Sequence, residues 1–95
     1  MNKCHFLGKV SSPPCLDTEN GTSVVRFVLE IEEYRKDRNG DKKRSVTYLD
    51  FEAWDSAALA IQKYASQGSL MAVESIARKL HGEVWFRVTN FKILH

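Results

Sequence analysis

Two stretches of strict two-residue alternation, separated by a basic turn, constrain this chain more than any other feature. In residues 24–33, Val25, Phe27, Leu29 and Ile31 share one face, while Arg26, Glu30 and Glu32 share the other. In residues 46–54, Leu49, Phe51 and Ala53 form the apolar set. The outer set there is Val46, Tyr48, Asp50, Glu52 and Trp54. Successive side chains of a strand point to opposite faces, so each stretch reads as a strand with one buried side. Asn39-Gly40 between them is a strong hairpin signal. A long antiparallel hairpin results, and the rest of the chain has to cover its apolar face.

The rest of the 95-residue sequence supplies the cover. Lys3 to Val10 predicts a first strand, ended by Ser11-Ser12-Pro13-Pro14, and Asn20-Gly21 marks the turn into the second strand. After Trp54, Asp55 or Ser56 is placed to cap a short Ala-rich helix over residues 57–65, with Gly68 placed to end it. Leu70 to Leu80 and Val84 to Leu94 predict two further strands around a tight turn at His81-Gly82. The length admits one domain, read as residues 1–95 without linker, repeat or low-complexity tract. The order of three strands, one helix and two strands predicts an all-β fold with one short helix. It is the order of the OB-fold, a small five-stranded Greek-key barrel.

Composition narrows the function classes. Charged residues at 27% and aromatics at 11% are ordinary for a packed domain and speak against disorder. There is no apolar run of membrane-spanning length and no signal-peptide pattern at Met1-Asn2-Lys3, so a cytoplasmic protein without membrane partners is expected. Cys4 and Cys15 match no zinc spacing, and His5, His81 and His95 are scattered, so free thiols and no metal or cofactor are expected. Asp50 and Glu52 resemble a divalent-metal pair, but no third ligand accompanies them and no Lys follows at a nuclease spacing. They read instead as surface carboxylates in salt bridges. Cys4 and His5, adjacent on a strand, point apart and form no dyad. Without a phosphate loop or nucleophile elbow, a binding module is expected rather than an enzyme.

The net charge of +2 is small, but residues 34–44 alone carry six basic and two acidic side chains. Such a loop is either a solvated hairpin tip or a phosphate-binding site. Tyr34, Tyr48 and Trp54 all fall on the non-core face beside it. Outward aromatics suit single-stranded nucleic acid, because every base offers a π-face for stacking. They suit a dimer interface equally well. The carboxylates Glu30, Glu32, Asp50 and Glu52 on the same face oppose phosphate, and Arg26 offsets only part of them.

These residues, taken in order, resemble the bacterial and phage single-stranded DNA-binding proteins over nearly the whole chain. Leu7-Gly8-Lys9-Val10 is similar to that family's opening strand, and Asn20-Gly21-Thr22 with Val25, Phe27 and Leu29 to its second strand. Glu33 to Asp37 with Asn39-Gly40 resembles its aromatic and basic hairpin, Thr47 to Trp54 its third strand, and Tyr64 to Ser69 its helix end. The resemblance implies that Tyr34, Tyr48 and Trp54 stack bases. It implies that Arg35, Lys36, Arg38, Lys42, Lys43 and Arg44 hold phosphates, joined by Arg78 and Lys79 from the last hairpin. It further implies single-stranded DNA as partner, a role in coating DNA during replication, recombination or repair, and a nucleoid-associated dimer or tetramer in a bacterial or phage-infected cell. The first strand is the expected pairing edge.

Three departures from the family pattern stand out. The last hairpin is short, leaving only His81 or Trp85 where the family has a further aromatic. Asp50 and Glu52 stand on a face the family keeps basic or apolar, and Gln67 stands where Lys is common. The sequence closes at Leu94-His95, without the acidic tail that recruits replication and repair enzymes in the family. That last point also suits a relative of primosomal replication protein B, an OB-fold adaptor acting mainly through protein contacts. The aromatic spacing and the long basic hairpin favour the first family.

Overall fold

The computed structural model describes residues 1–94; His95, counted above among the histidines, lies outside the described residues. The elements are β1 (Cys4–Val10), β2 (Cys15–Glu19), β3 (Thr22–Lys36), β4 (Lys42–Trp54), α1 (Ser56–Tyr64), β5 (Leu70–Leu80) and β6 (Glu83–Ile93). The sheet runs β1-β5-β6-β4-β3-β2, and an additional β1–β3 pairing closes five of the strands into a barrel. This is the expected OB-fold barrel with its single helix between the third and fourth barrel strands.

The alternation predicted for the hairpin holds. Val25, Phe27, Leu29, Phe51 and Ala53 are all buried in one core cluster, with Ile31 and Leu49 packed against it. Phe51 sits at its centre, its ring 5.5 Å from Phe27, 5.4 Å from Phe6 and 5.5 Å from Phe86. One ring thereby ties β1, β3, β4 and β6. Helix α1 contributes Ala58 and Ile61 to the same cluster.

Closure depends on a close approach. Lys9 and Val10 pair with Glu30 and Leu29, while Cys4 to Lys9 pair with β5. A Cβ on Gly8 would stand 2.8 Å from the Glu30 carbonyl oxygen and 3.0 Å from Ile31 Cγ1. Backbone oxygen cannot swing aside as a side chain can. We expect Gly8→Ala to force β1 from β3 at a cost of about 1–3 kcal/mol, typical of overpacking. A thermal melt checks this, since each kcal/mol lowers the midpoint of a domain this size by about 4–8 °C.

Three local expectations are corrected. The segment before Asn20-Gly21, for which no strand is expected from the sequence, is strand β2, paired along its length with β3. Asn20 (φ 50°) and Gly21 (φ 79°) form the two-residue turn between them, and His81 (φ 50°) with Gly82 (φ 82°) does the same between β5 and β6. Positive φ at both central residues matches the type I′ twist that hairpins favour. Asp55 occupies the N-cap of α1 but at φ 59°, with no side-chain cap bond. Its backbone N–H donates instead to Ser23 O at 2.9 Å, fastening the start of the helix to β3. Gly68 lies beyond the helix, which ends at Tyr64 with Ala65 as C-cap. Its N–H donates to Val10 O at 2.8 Å, holding the helix exit against β1.

The molecule is elongated, with extents of 55 × 29 × 21 Å. Thirteen residues of strand span about 43 Å, so the β3–β4 hairpin is long enough to set the major axis. No helix is long and apolar enough to cross a membrane. Cys4 and Cys15 are free thiols.

Candidate nucleic-acid interface

The β3–β4 register places the outer-face residues directly. Lys36 stands opposite Lys42, Tyr34 opposite Arg44, Glu32 opposite Val46, Glu30 opposite Tyr48, Val28 opposite Asp50, Arg26 opposite Glu52 and Val24 opposite Trp54. Tyr34, Tyr48 and Trp54 therefore share one face, as their parity predicts. Tyr34 is 55% and Tyr48 61% exposed, so both rings offer free surface. Trp54 stands six positions along β4 from Tyr48, a distance of about 20 Å, and the position opposite Tyr34 stands four from Tyr48, about 13 Å. Stacked bases in a duplex strand lie only about 3.4 Å apart. Platforms this far apart serve bases splayed along an extended strand.

Charge is arranged differently at the two ends of this face. At the hairpin end, Lys42 Nζ lies 4.8 Å from the Tyr34 ring centroid. Arg44 is engaged by carboxylates: its Nη2 donates to Glu32 Oε1 at 2.6 Å and lies 3.8 Å from Glu30 Oε1. The tyrosine hydroxyls also donate to carboxylates, Tyr34 to Glu32 at 3.2 Å and Tyr48 to Glu30 at 3.4 Å. The hydrogen bond from Arg44 is the main cause holding the Glu32 carboxyl below the ordinary carboxylate range, against a partial desolvation that pushes it up. The same bond raises Arg44. Because Glu32 is depressed, this pair persists above the ordinary carboxylate range and is lost only as pH falls through the lowered value. At neutral pH, Arg44 is released by exchange of partners and not by protonation.

At the barrel end, β6 joins the face, with Glu52 opposite Arg87 in a parallel pairing. The Arg87 guanidinium lies 5.7 Å from the Trp54 ring centroid, and that of Arg26 lies 6.0 Å from Trp85. Arg78, opposite Trp85 on β5, reaches within 3.2 Å of Glu52 Oε1. Glu52 itself is corrected: predicted as a surface carboxylate, it is fully buried.

The other basic residues fall in several places. Arg35 and Lys43 pair across the hairpin on the opposite parity, Lys43 Nζ lying 3.9 Å from Asp37 Oδ2. Arg38 is in the turn, which Asp37 Oδ1 organises by accepting from the N–H groups of Asn39 and Asp41, each at 2.9 Å. Lys79 lies one position off the face of Arg78. Among the described residues, Arg35, Lys36, Arg38 and Lys79 have no carboxylate partner within salt-bridge distance. Gln67 lies beside Tyr48, lining a shared hollow with Lys9 and Glu30.

Sequence reasoning passed over Arg87 and gave Trp85 and Arg26 only minor parts. The alternation of Trp85 with Arg87 was available as a signal. Their approach to Glu52 and Trp54 was not, because it depends on a parallel pairing between strands separated by the helix and β5. Among the described residues, no three His, Cys, Asp or Glu side chains gather as a metal site requires.

Solved structures share this barrel. A deletion mutant of the single-stranded DNA binding protein from Thermus aquaticus superposes with a TM-score of 0.87 at 16% identity, over 100% of this chain and 51% of that one. The chain thus spans about half the length of that protein. The SSB of Plasmodium falciparum, solved in complex with ssDNA, matches with a TM-score of 0.85 at 22% identity, over 100% and 96% of the two chains. PriB from Ralstonia solanacearum matches with a TM-score of 0.80 at 10% identity, over 100% and 99%. At these identities the likeness is one of fold. No curated protein sequence matches the chain. The family model of the single-strand binding protein family, however, matches residues 1–91. The chain belongs to the single-strand binding protein family.

Proposed function

We propose that this protein binds and coats single-stranded DNA without reading its sequence, as a non-enzymatic partner in replication, recombination or repair. The observation that carries this is the outer face of β3 and β4. It offers the exposed rings of Tyr34 and Tyr48 and the partly covered ring of Trp54 at wide intervals, with cations beside them. Bases stack on Tyr34, Tyr48 and Trp54, each stack contributing about 1–3 kcal/mol whatever the base. Lys36, Lys42 and Arg38, with Arg35, Lys43, Arg44, Arg78 and Lys79, supply the phosphate attraction, which salt weakens. One barrel covers a short stretch of DNA, so the working unit is a dimer or tetramer formed at β1. Cys4 to Gly8 leave one side of that strand without a pairing partner among the described residues. The cytoplasm or nucleoid of a bacterial or phage-infected cell is the compartment this implies. The alternative, an adaptor like PriB acting through protein contacts, has the shared barrel in its support.

The test is tryptophan emission during titration with a poly-dT oligomer at low and moderate salt. Strong quenching that weakens with salt supports the reading. Absence of both quenching and binding at low salt overturns it.

The carboxylates give a second expectation. Glu32→Gln removes the negative charge that holds Arg44 and leaves only a weaker amide acceptor, so that guanidinium is freer to meet phosphate. Affinity for poly-dT then rises at low salt, and the slope of log K against log salt steepens by about 0.7 for one added contact. Anisotropy of a labelled oligomer over a salt series measures both.

A further inference from the structure

The turn that follows helix α1 is held at several points. Ser69 N–H donates to Ser66 O at 3.0 Å and closes four residues, while Ser66 N–H donates to Ser69 Oγ at 3.0 Å. Gly68, third of the four, has φ 90°, as a type II turn requires. Its N–H bond to Val10 O ties the turn to β1, and Val10 N–H donates in return to Ser69 O at 2.9 Å. Gln67 stands second in this turn and is exposed. Its side-chain amide has no hydrogen-bond partner among the described residues. A fixed turn thus presents an amide that the fold itself does not use.

That amide lines a hollow of about 310 Å³ with Tyr48, Glu30, Lys9 and Ser11. Glu30 is part of the wall and not a solvated tip, its side chain being only 26% exposed. Its contacts with the Tyr48 hydroxyl and with Arg44 are long, 3.4 and 3.8 Å, and both fall on Oε1. Around one exposed ring there are therefore a carboxylate that only accepts, an amide that donates and accepts, and an ammonium that only donates. Phosphate attraction does not call for that mixture, and the carboxylate opposes it. The edge of a base is a short row of donors and acceptors, and unpaired bases are read through such edges.

We propose that this hollow reads the edge of the base stacked on Tyr48 and favours cytosine over thymine, with Glu30 as the specificity-determining residue. Cytosine carries an N4 amine, which donates to the Glu30 carboxylate. Thymine carries O4 at that place, so acceptor meets acceptor. Gln67 holds the neighbouring N3 of either base, because its amide donates to the bare N3 of cytosine or accepts from the N3–H of thymine. The inference rests on the single-strand-binding reading above. The strand is held whatever its sequence, and one position along it is weighted by base.

The probes are two labelled oligomers of equal length, one of dT and one of C5-methylated cytosine, each followed by anisotropy. The two bases share ring and methyl group and differ only along the edge, and the two strands carry the same phosphates. Any change in charge, including release of Arg44, therefore cancels in the ratio of their affinities.

The expected result is that Glu30→Gln lowers the cytosine-to-thymine ratio by about fivefold or more, since the new amide can donate to O4. Gln67→Ala weakens binding of both strands with the thermal midpoint unmoved, a loss that a side chain without contacts in the fold would not cause by a structural route. A ratio left unchanged by Glu30→Gln overturns the proposal and leaves the single-strand reading standing. Undiminished binding of both strands by Gln67→Ala overturns the part given to the amide. Failure of the unaltered chain to bind either strand overturns both this proposal and the reading beneath it. If Glu30→Gln is unfolded in a thermal melt, Gln67→Ala carries the test, and undiminished binding then overturns the proposal.

Discussion

Tyr48→Ala is expected to weaken binding of a poly-dT oligomer by about 5- to 150-fold, the range for removing one stacked base. Its unfolding midpoint is expected to stay close to that of the unaltered protein. Tyr48 is 61% exposed, lies outside the core cluster, and has one side-chain bond, a 3.4 Å contact from its hydroxyl to Glu30. Little native packing is therefore lost with the ring. The oligomeric state separates the two uses an outward aromatic can have. A groove residue loses DNA affinity with the assembly intact, whereas an interface residue loses the assembly first. Sedimentation and anisotropy on the same variant distinguish them.

Phe51→Ala carries the largest expected effect on stability, about 3–5 kcal/mol of lost burial and residual cavity. Against a typical total of about 5–15 kcal/mol, that is about a fifth or more of the stability of the fold. The reason is location. Phe51 is fully buried, with Phe6, Phe27 and Phe86 about its ring, so the cavity opens where four strands meet. Urea unfolding measures it as a lower midpoint with a similar slope. Any DNA binding lost by this variant should return when it is assayed below its unfolding transition, because Phe51 faces away from the outer surface.

How much of this was legible in the sequence depends on how each segment meets water. β3 and β4 each bury one face and expose the other, so Val25, Phe27, Leu29 and Phe51 announce themselves by period. The same parity set Tyr34, Tyr48 and Trp54 on one side. β2 has no such asymmetry: Cys15 to Thr18 are all exposed, and hydropathy carries no signal when neither face is buried. Only Asn20-Gly21, a two-residue turn that requires a strand on each side, pointed to it. Glu52 shows the limit on the site. Its parity placed it outward, but it is fully buried with Arg78 of β5 3.2 Å away, and the β4–β6 neighbour relation behind that approach is a long-range one. Asp55 is a good capping residue by type, yet its backbone is held in the left-handed region by the bond to Ser23, so its side chain does not cap.

The cations of the hairpin end also differ among themselves in a way composition conceals. Arg44 meets DNA only by exchanging Glu32 and Glu30 for phosphate, whereas Lys36 and Arg38 have no carboxylate partner to give up among the described residues. Affinity should therefore fall more on removing Lys36 or Arg38 than on removing Arg44.

The most direct test of the central claim is competition for a bound, labelled dT oligomer between an unlabelled single strand of mixed sequence and the same sequence as a duplex. Widely spaced aromatic platforms need unpaired bases, so the single strand should displace the label at low micromolar or lower concentration while the duplex leaves it bound. Equal displacement by the duplex would reduce the outer face to a charged surface without stacking and contradict the account.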